Sequence, residues 1–323
     1  MLDIRMARGA RKIVEQCAGV RPGEKVLVVT DTGSDFAIAR ALAAAAQAAG
    51  ANASIIVSEP VAKSGDDPHP SVCQAMLGAD VIFIPTSKSI FHTGAVRRAL
   101  ETGRSRLFSL SEAKPDTLIA GAIEVNFLER KPYVDALAKK MAEGRRIKVM
   151  APAGTELEAS IEGRMPVGNT GICDKPGMRM GAALEVFIAP VEDTTTGTFV
   201  CDVMSSSIGL VSEPIRIRFD HGRAVEISGG KEAQKLRGIV EAVGSPDAYT
   251  AAEIAFGLNP VARITGDIIE DEGKYGTGHV ALGNNLGFGG KSGPALHIDM
   301  VYWKPSVWID GEHIFQDGVL LIK

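Results

Sequence analysis

Leu296-His-Ile-Asp-Met300 places His297 and Asp299 two positions apart inside an apolar run. In a strand, residues i and i+2 share a face, close enough to hold one cation together. Three further ionisable residues sit in similar surroundings: His279 in Gly278-His-Val-Ala-Leu282, Glu253 in Ala252-Glu-Ile-Ala-Phe256, and Glu185 in Leu184-Glu-Val-Phe-Ile188. A carboxylate taken out of water alone is costly and keeps its charge only when paired or bound to metal. Carboxylates and imidazoles together suit zinc, manganese, cobalt or iron better than calcium. Singly, each has a plainer explanation, because a lone strand Glu more often faces solvent and a lone His is often a satisfied core residue. Their joint occurrence in the C-terminal half is what points to a metal centre. Glycine clusters beside His279 and His297 fit loops in which backbone approaches a ligand closely.

Two nucleotide-binding patterns fail on inspection. Asp31-Thr-Gly-Ser-Asp35 follows the first strand but is not G-x-G-x-x-G. Gly287-Phe-Gly-Gly-Lys-Ser292 ends like a phosphate-binding loop, yet Asn285 stands where its first Gly is needed, and a strand rather than a helix is predicted to follow. His69, His221 and His313 read as solvated residues. Asp267, Glu270, Asp271 and Glu272 read as a solvated acidic loop that could instead attract a substrate amine.

These residues must be positioned by a chain of 323 residues, long enough for about two domains. Lys and Arg number 35 against 39 Asp and Glu, so no basic surplus exists to bind nucleic acid or a membrane surface. Four scattered cysteines without a C-x-x-C pair, and an N-terminus lacking a signal-peptide core, are expected of a cytoplasmic protein with reduced thiols. No apolar stretch reaches the ~20 residues of a membrane span.

Residues 1–150 alternate strand and helix signals. Ile4, Ala7, Ala10, Val14 and Cys17 predict a first amphipathic helix. Strands are predicted over 25–30, 53–57, 80–85, 106–110 and 147–150, with helices over 34–49, 71–78, 93–102 and 127–143. After about 150, short strands follow one another, including a hairpin turning at Asp220-His-Gly222. The fold class expected is α/β: an N-terminal parallel-sheet domain over 1–150, then a β-rich α+β metal-binding domain over 151–323.

The chain resembles the thermophilic metallo-aminopeptidase family (aminopeptidase T and aminopeptidase S). The matching segments are Pro22-Gly-Glu-Lys-Val-Leu-Val28, Gly154-Thr-Glu-Leu157 with Gly163-Arg164, and Leu184-Glu-Val-Phe-Ile-Ala-Pro190. Glu253-Ile-Ala-Phe-Gly-Leu-Asn-Pro260, Asp271-Glu-Gly-Lys274, Gly276-Thr-Gly-His-Val-Ala-Leu-Gly283 and His297-Ile-Asp299 extend the match. The resemblance implies metal ligation by Glu185, Glu253, His279, His297 and Asp299, and a homodimer. The family's catalytic Tyr, seven residues beyond His279, is replaced by Leu286. Ser89-Ile-Phe-His92 with Gly103-Arg-Ser-Arg-Leu107 is similar to a second family of the same superfamily, the 2,5-dihydroxypyridine dioxygenases, which use mononuclear non-haem iron. That similarity makes His92 a candidate for substrate contact, while that family's iron-binding His falls at Glu253.

The leading expectation is therefore a hydrolase of a small peptide or other amide, with one or two ions of zinc, cobalt or manganese. Five ligands exceed what one open catalytic ion takes, so two are favoured, bridged by Glu253 or Asp299. A metal-activated water would attack the carbonyl, and Glu185 or Glu253 would shuttle the proton. The alternative is a single ferrous ion held by His279, His297 and Asp299, for oxygen-dependent cleavage of a hydroxylated aromatic or pyridine ring. A third possibility is a metal-binding relative without catalysis.

Overall fold

The computed structural model describes residues 2–91, 93–294 and 296–322. The chain forms two compact units, Met1–Glu129 with Gly171–Ala182, and Arg130–Thr170 with Ala183–Lys323.

In the first unit, Lys25–Asp31, Val81–Ile84 and Arg106–Ser109 are buried along almost their whole length, as strands covered on both faces must be. They join Asn52–Ser58 and Gly177–Met180 in an all-parallel sheet, ordered Asn52–Ser58, Lys25–Asp31, Val81–Ile84, Arg106–Ser109, Gly177–Met180. Helices Phe36–Ala48, Pro70–Leu77 and Gly94–Glu101 start where a side chain satisfies a free backbone N–H. Asp35 accepts from the Ala37 amide, His69 from Ser71 and Thr93 from Val96. His69 is thus a helix cap as well as an exposed residue. Leu27, Ile82, Ile84, Met76 and Val96 belong to the core of this unit. The first helix buries Met6 and Ala10, and the π-turn Lys12–Cys17 continues with Ile13, Val14 and Cys17. Ile4 and Ala7, expected on that face, are exposed, because Met6 and not Ile4 is in phase with Ala10, Ile13 and Cys17.

The unit boundary departs from the one expected at 150. Arg146–Ala151 does not extend the parallel sheet; it pairs antiparallel with Thr155–Ser160 and Ser306–Ile309. Its even positions are at least partly exposed while Ile147 and Val149 are buried, so it suits a sheet with one wet face. The fifth parallel strand comes instead from Gly177–Met180, a segment with no apolar run to betray it.

The second unit is built from two antiparallel sheets. One has eight strands, ordered Arg223–Ser228, Ile215–Asp220, Thr196–Cys201, Thr155–Ser160, Arg146–Ala151, Ser306–Ile309, Glu312–Gln316, Val319–Leu320. The hairpin turns at His221 and Gly222, both with positive φ (45° and 74°), as a two-residue loop of this hand requires. The other has seven strands, ordered Gly209–Leu210, Met204–Ser205, His297–Trp303, Thr277–Gly283, Ala251–Gly257, Glu185–Ile188, Val167–Asn169. The sheets share an aromatic core. Phe256 stacks on Phe315 with centroids 5.1 Å apart, and Phe199 meets Tyr302 edge-on at 5.4 Å. This mixed α/β architecture, with a parallel sheet and antiparallel sheets, is the fold class expected from the sequence.

Candidate metal centre

Strand register decides which ionisable residues meet. Glu253 lies opposite Ala281, and Ala281 opposite Asp299, so three neighbouring strands contribute one row. One row away, Gly283 lies opposite His297; one row the other way, His279 lies between Ala255 and Val301. Glu185 lies opposite Gly257 on the next strand. Side chains alternate along a strand, so all five project from the face opposite the Phe256–Tyr302 core. Ala281, fully buried, is the small residue between Glu253 and Asp299 in that row.

The five groups form a continuous chain of contacts. His279 Nε2 lies 3.7 Å from Glu185 Oε2 and 3.2 Å from Glu253 Oε1. His297 Nε2 lies 3.5 Å from Glu253 Oε2 and 3.1 Å from Asp299 Oδ1. Glu253, His297 and Asp299 each offer a ligand atom within 4.8 Å of the others. His297 Nδ1 donates to the Asn284 carbonyl at 2.7 Å, which fixes the tautomer and leaves Nε2 free to face the carboxylates. The Asp299 backbone is held by Ser206, whose hydroxyl accepts from the Asp299 amide at 3.0 Å.

The electrostatics favour positive charge. Burial alone would raise the Asp299 carboxyl, but the His297 charge and hydrogen bond hold it near 2. Burial alone would lower both imidazoles, yet Asp299 raises His297 to about 10 and Glu253, with Glu185, raises His279 to about 8. Burial, with the nearby Glu253 and Asp299 charges, pushes Glu185 up to about 8. Among the described residues, both Glu185 carboxylate oxygens and His279 Nδ1 are buried without a hydrogen-bond partner. Buried polar atoms are normally satisfied, so this deficit marks Glu185 and His279 as groups not fully accounted for by the protein itself. The donor set, two carboxylates and one imidazole, fits a divalent cation that accepts both nitrogen and oxygen.

The grouping differs from the alternative triad expected. The structure gathers Glu253, rather than His279, with His297 and Asp299: the two histidines flank the Glu253–Asp299 row from opposite sides and so stand two rows apart. Glu185 and His279 stand behind Glu253. The acidic loop is not the solvated face expected. Asp271 is fully buried and accepts from Thr265 and Gly266 amides at 2.7 Å, while Glu270 grips Arg263. Burial, followed by the charges of Glu185, Asp299 and Glu253, raises the Glu272 carboxyl well above its ordinary range, which places Glu272 in the field of the site. Its sequence signals were its place in the acidic loop and in the matching segment Asp271-Glu-Gly-Lys274. Tyr275 does not stand in for the missing family Tyr; its hydroxyl accepts from the Leu320 amide at 2.9 Å and its ring faces Arg130. Leu286 is exposed. His92, expected to touch substrate, lies outside the described residues.

The loop carrying the phosphate-loop look-alike has a different task. Asn285, fully buried, accepts from the Ser292 amide at 2.8 Å and donates to the Ala252 carbonyl at 3.4 Å. Arg164 donates to the Gly289 carbonyl and pairs with Glu192, which accepts from the Lys291 amide at 2.7 Å. The loop so held puts Phe288 edge-on to both Phe187, at 5.3 Å, and His297, at 6.0 Å.

A parallel α/β unit joined to a unit whose antiparallel sheet carries a carboxylate–imidazole cluster defines an enzyme of the metal-dependent class. The profile of 2,5-dihydroxypyridine 5,6-dioxygenase matches residues 5–322, and the chain belongs to that family. A curated 2,5-dihydroxypyridine 5,6-dioxygenase from Pseudomonas putida is 24% identical over 258 residues, covering 76% of this chain and 72% of that protein. The solved 2,5-dihydroxypyridine dioxygenase of the same organism superposes with a TM-score of 0.86 at 21% identity, over 99% of this chain and 98% of that one. The AmpT structure from Thermus thermophilus superposes over the whole of both chains with a TM-score of 0.71 at 16% identity.

These findings correct the leading functional expectation. The shared architecture explains the resemblance to the aminopeptidases, but the family is that of the dioxygenases, so a zinc peptidase or amide hydrolase, with its peptide substrate and metal-bound attacking water, is set aside. One fold can carry different chemistry, and motif similarity alone could not separate the two. No helix among the described residues is long and apolar enough to cross a membrane.

Proposed function

We propose that this chain catalyses oxygen-dependent cleavage of a hydroxylated aromatic ring of the dihydroxypyridine type, using one ferrous ion held by Glu253, His297 and Asp299. The observation that carries this reading is the convergence of those three ligand atoms within 4.8 Å on a single sheet face, in a member of the dioxygenase family. Bound there, ferrous iron supplies the one-electron chemistry that a ring and dioxygen lack by themselves.

The residues have separable tasks. Asn284 orients His297, and His297 steadies both Asp299 and Glu253. His279 Nε2, 3.2 Å from Glu253 Oε1, holds the back of that carboxylate and can carry a proton released by a ring hydroxyl. Glu185 keeps His279 in place from the other side.

The test is direct. Protein reconstituted with ferrous ion in the absence of air is mixed with oxygenated dihydroxypyridines and dihydroxybenzenes, and oxygen uptake is followed with ring absorbance. Uptake of one oxygen per ring lost is expected. No uptake with any ring, in protein shown to carry iron, would refute the assignment.

A further inference from the structure

The loop 284–294 binds to the site at two points that serve different ends. Its first residue, Asn284, fixes the His297 ring through a 2.7 Å hydrogen bond. Its aromatic residue, Phe288, stands perpendicular to Phe187 (90°) and nearly so to His297 (86°). Phe187 is buried and lies opposite Ala255 in the row of His279, so it projects from the face that carries the metal ligands. Phe288 is half-buried, and nothing in its local sequence favours an aromatic residue among glycines, since Gly287, Gly289 and Gly290 surround it. Part of this large apolar ring stays open to solvent on a glycine loop. Its anchorage is nonetheless elaborate, with Asn285, Ser292, Arg164, Glu192 and Lys291 all committed to holding the loop's shape.

We infer that Phe288, braced edge-on by the buried Phe187 beside His297, offers its solvent-open surface to the substrate ring and so selects planar aromatic substrates over aliphatic ones. An aromatic ring in that place offers an incoming ring a stacked or edge-on contact, the arrangements aromatic pairs prefer. Phe288 lies beside the ligand cluster, so a ring held against it has its hydroxyl groups near the metal position. This inference rests on the ring-cleaving reading above and adds the residue that chooses the ring.

The experiment measures anaerobic binding of 2,5-dihydroxypyridine to ferrous-loaded protein by calorimetry, with ferrous affinity and thermal midpoint measured separately for each variant. Phe288→Ala and Phe288→Leu are expected to weaken ring binding by roughly five- to tenfold, and Phe288→Tyr to restore it, with ferrous affinity within about twofold of the parent. Ring affinity unchanged in both Ala and Leu variants would overturn the inference. So would a loss of ring affinity matched by an equal loss of ferrous affinity, because Phe288 would then act only by holding Asn284 in place. A parent protein that binds the ring but takes up no oxygen overturns the reaction class and leaves the aromatic contact standing. A parent protein that binds no ring overturns both.

Discussion

His297 Nδ1 donates to the Asn284 carbonyl at 2.7 Å, and the next residue, Asn285, is the buried clasp that gives the loop its shape. The orientation of His297, a ligand in the proposed site, therefore depends on an amide side chain outside the ligand cluster. Asn285→Ala leaves the Ser292 amide and the Ala252 carbonyl without their partner, a loss of about 1–3 kcal/mol. Because orienting partners of metal ligands matter nearly as much as the ligands, ferrous affinity is expected to fall by roughly 10- to 100-fold. Titration of the variant with ferrous ion, beside its thermal unfolding, checks both numbers; parent-like affinity in a destabilised variant would separate the loop from the ligand.

The metal stoichiometry follows from the grouping of side chains. Glu253, His297 and Asp299 converge, whereas Glu185 and His279 stand behind Glu253. Elemental analysis is expected to find one divalent ion per chain, lost on substitution of Glu253, His297 or Asp299 by Ala. Glu185→Gln should keep the ion with affinity lowered by about tenfold or more. Two ions per chain, one of them removed by Glu185→Gln, would contradict this arrangement.

Ala281 lies between Glu253 and Asp299 in one row, fully buried. Ala281→Leu adds a branched side chain where the cation would sit and costs about 1–3 kcal/mol in overpacking. The expected result is a folded protein, by circular dichroism, that no longer retains ferrous ion. Retention of the ion at parent affinity would mean that the cation sits away from Ala281.

A pH effect is expected in the first unit, away from the metal centre. Arg106 donates to both Glu24 carboxylate oxygens, at 3.1 and 2.7 Å, and to the Ala18 carbonyl at 2.9 Å. Burial pushes the Glu24 carboxyl up, but the Arg106 hydrogen bonds and charge, with the Arg21 amide, outweigh it and hold the group below its ordinary value of 4.5. A lowered carboxyl pKa stabilises the fold above the unfolded value and loses that contribution as pH falls through the folded one. Glu24→Gln should thus cost about 2 kcal/mol at neutral pH, with the deficit shrinking below about pH 4.5. Both tryptophans, Trp303 and Trp308, are in the second unit, so amide exchange of Lys25–Asp31 is the suitable probe. A deficit that persists unchanged into acid would assign the effect to packing instead.

Much of the architecture was legible because burial leaves a local imprint. Strands such as Val81–Ile84, buried on both faces, are continuous apolar runs, and Phe127–Glu143 matches its predicted helix in full. Gly177–Met180 and Val167–Asn169 were not read, since neither carries an apolar run and each gains its strand character from a neighbour already in place. The acidic loop misled for a related reason: charge in a sequence suggests water, while Asp271 and Glu270 are bonded inside the fold.

Residue type and two-residue periodicity alone determined that acidic and imidazole groups would stand in apolar strands, and that His297 and Asp299 would share a face. Which of them meet, and around what, was decided by the register of three antiparallel strands that sets Glu253 level with Asp299 and places His297 and His279 one row to either side. Register arises from pairing between segments far apart in the chain, where a shift of one residue would turn every ligand to the opposite face. The same holds for Phe288, whose place beside His297 depends on a clasp formed by Asn285, Arg164 and Glu192 from separate stretches of the chain, a contact that no local pattern encodes.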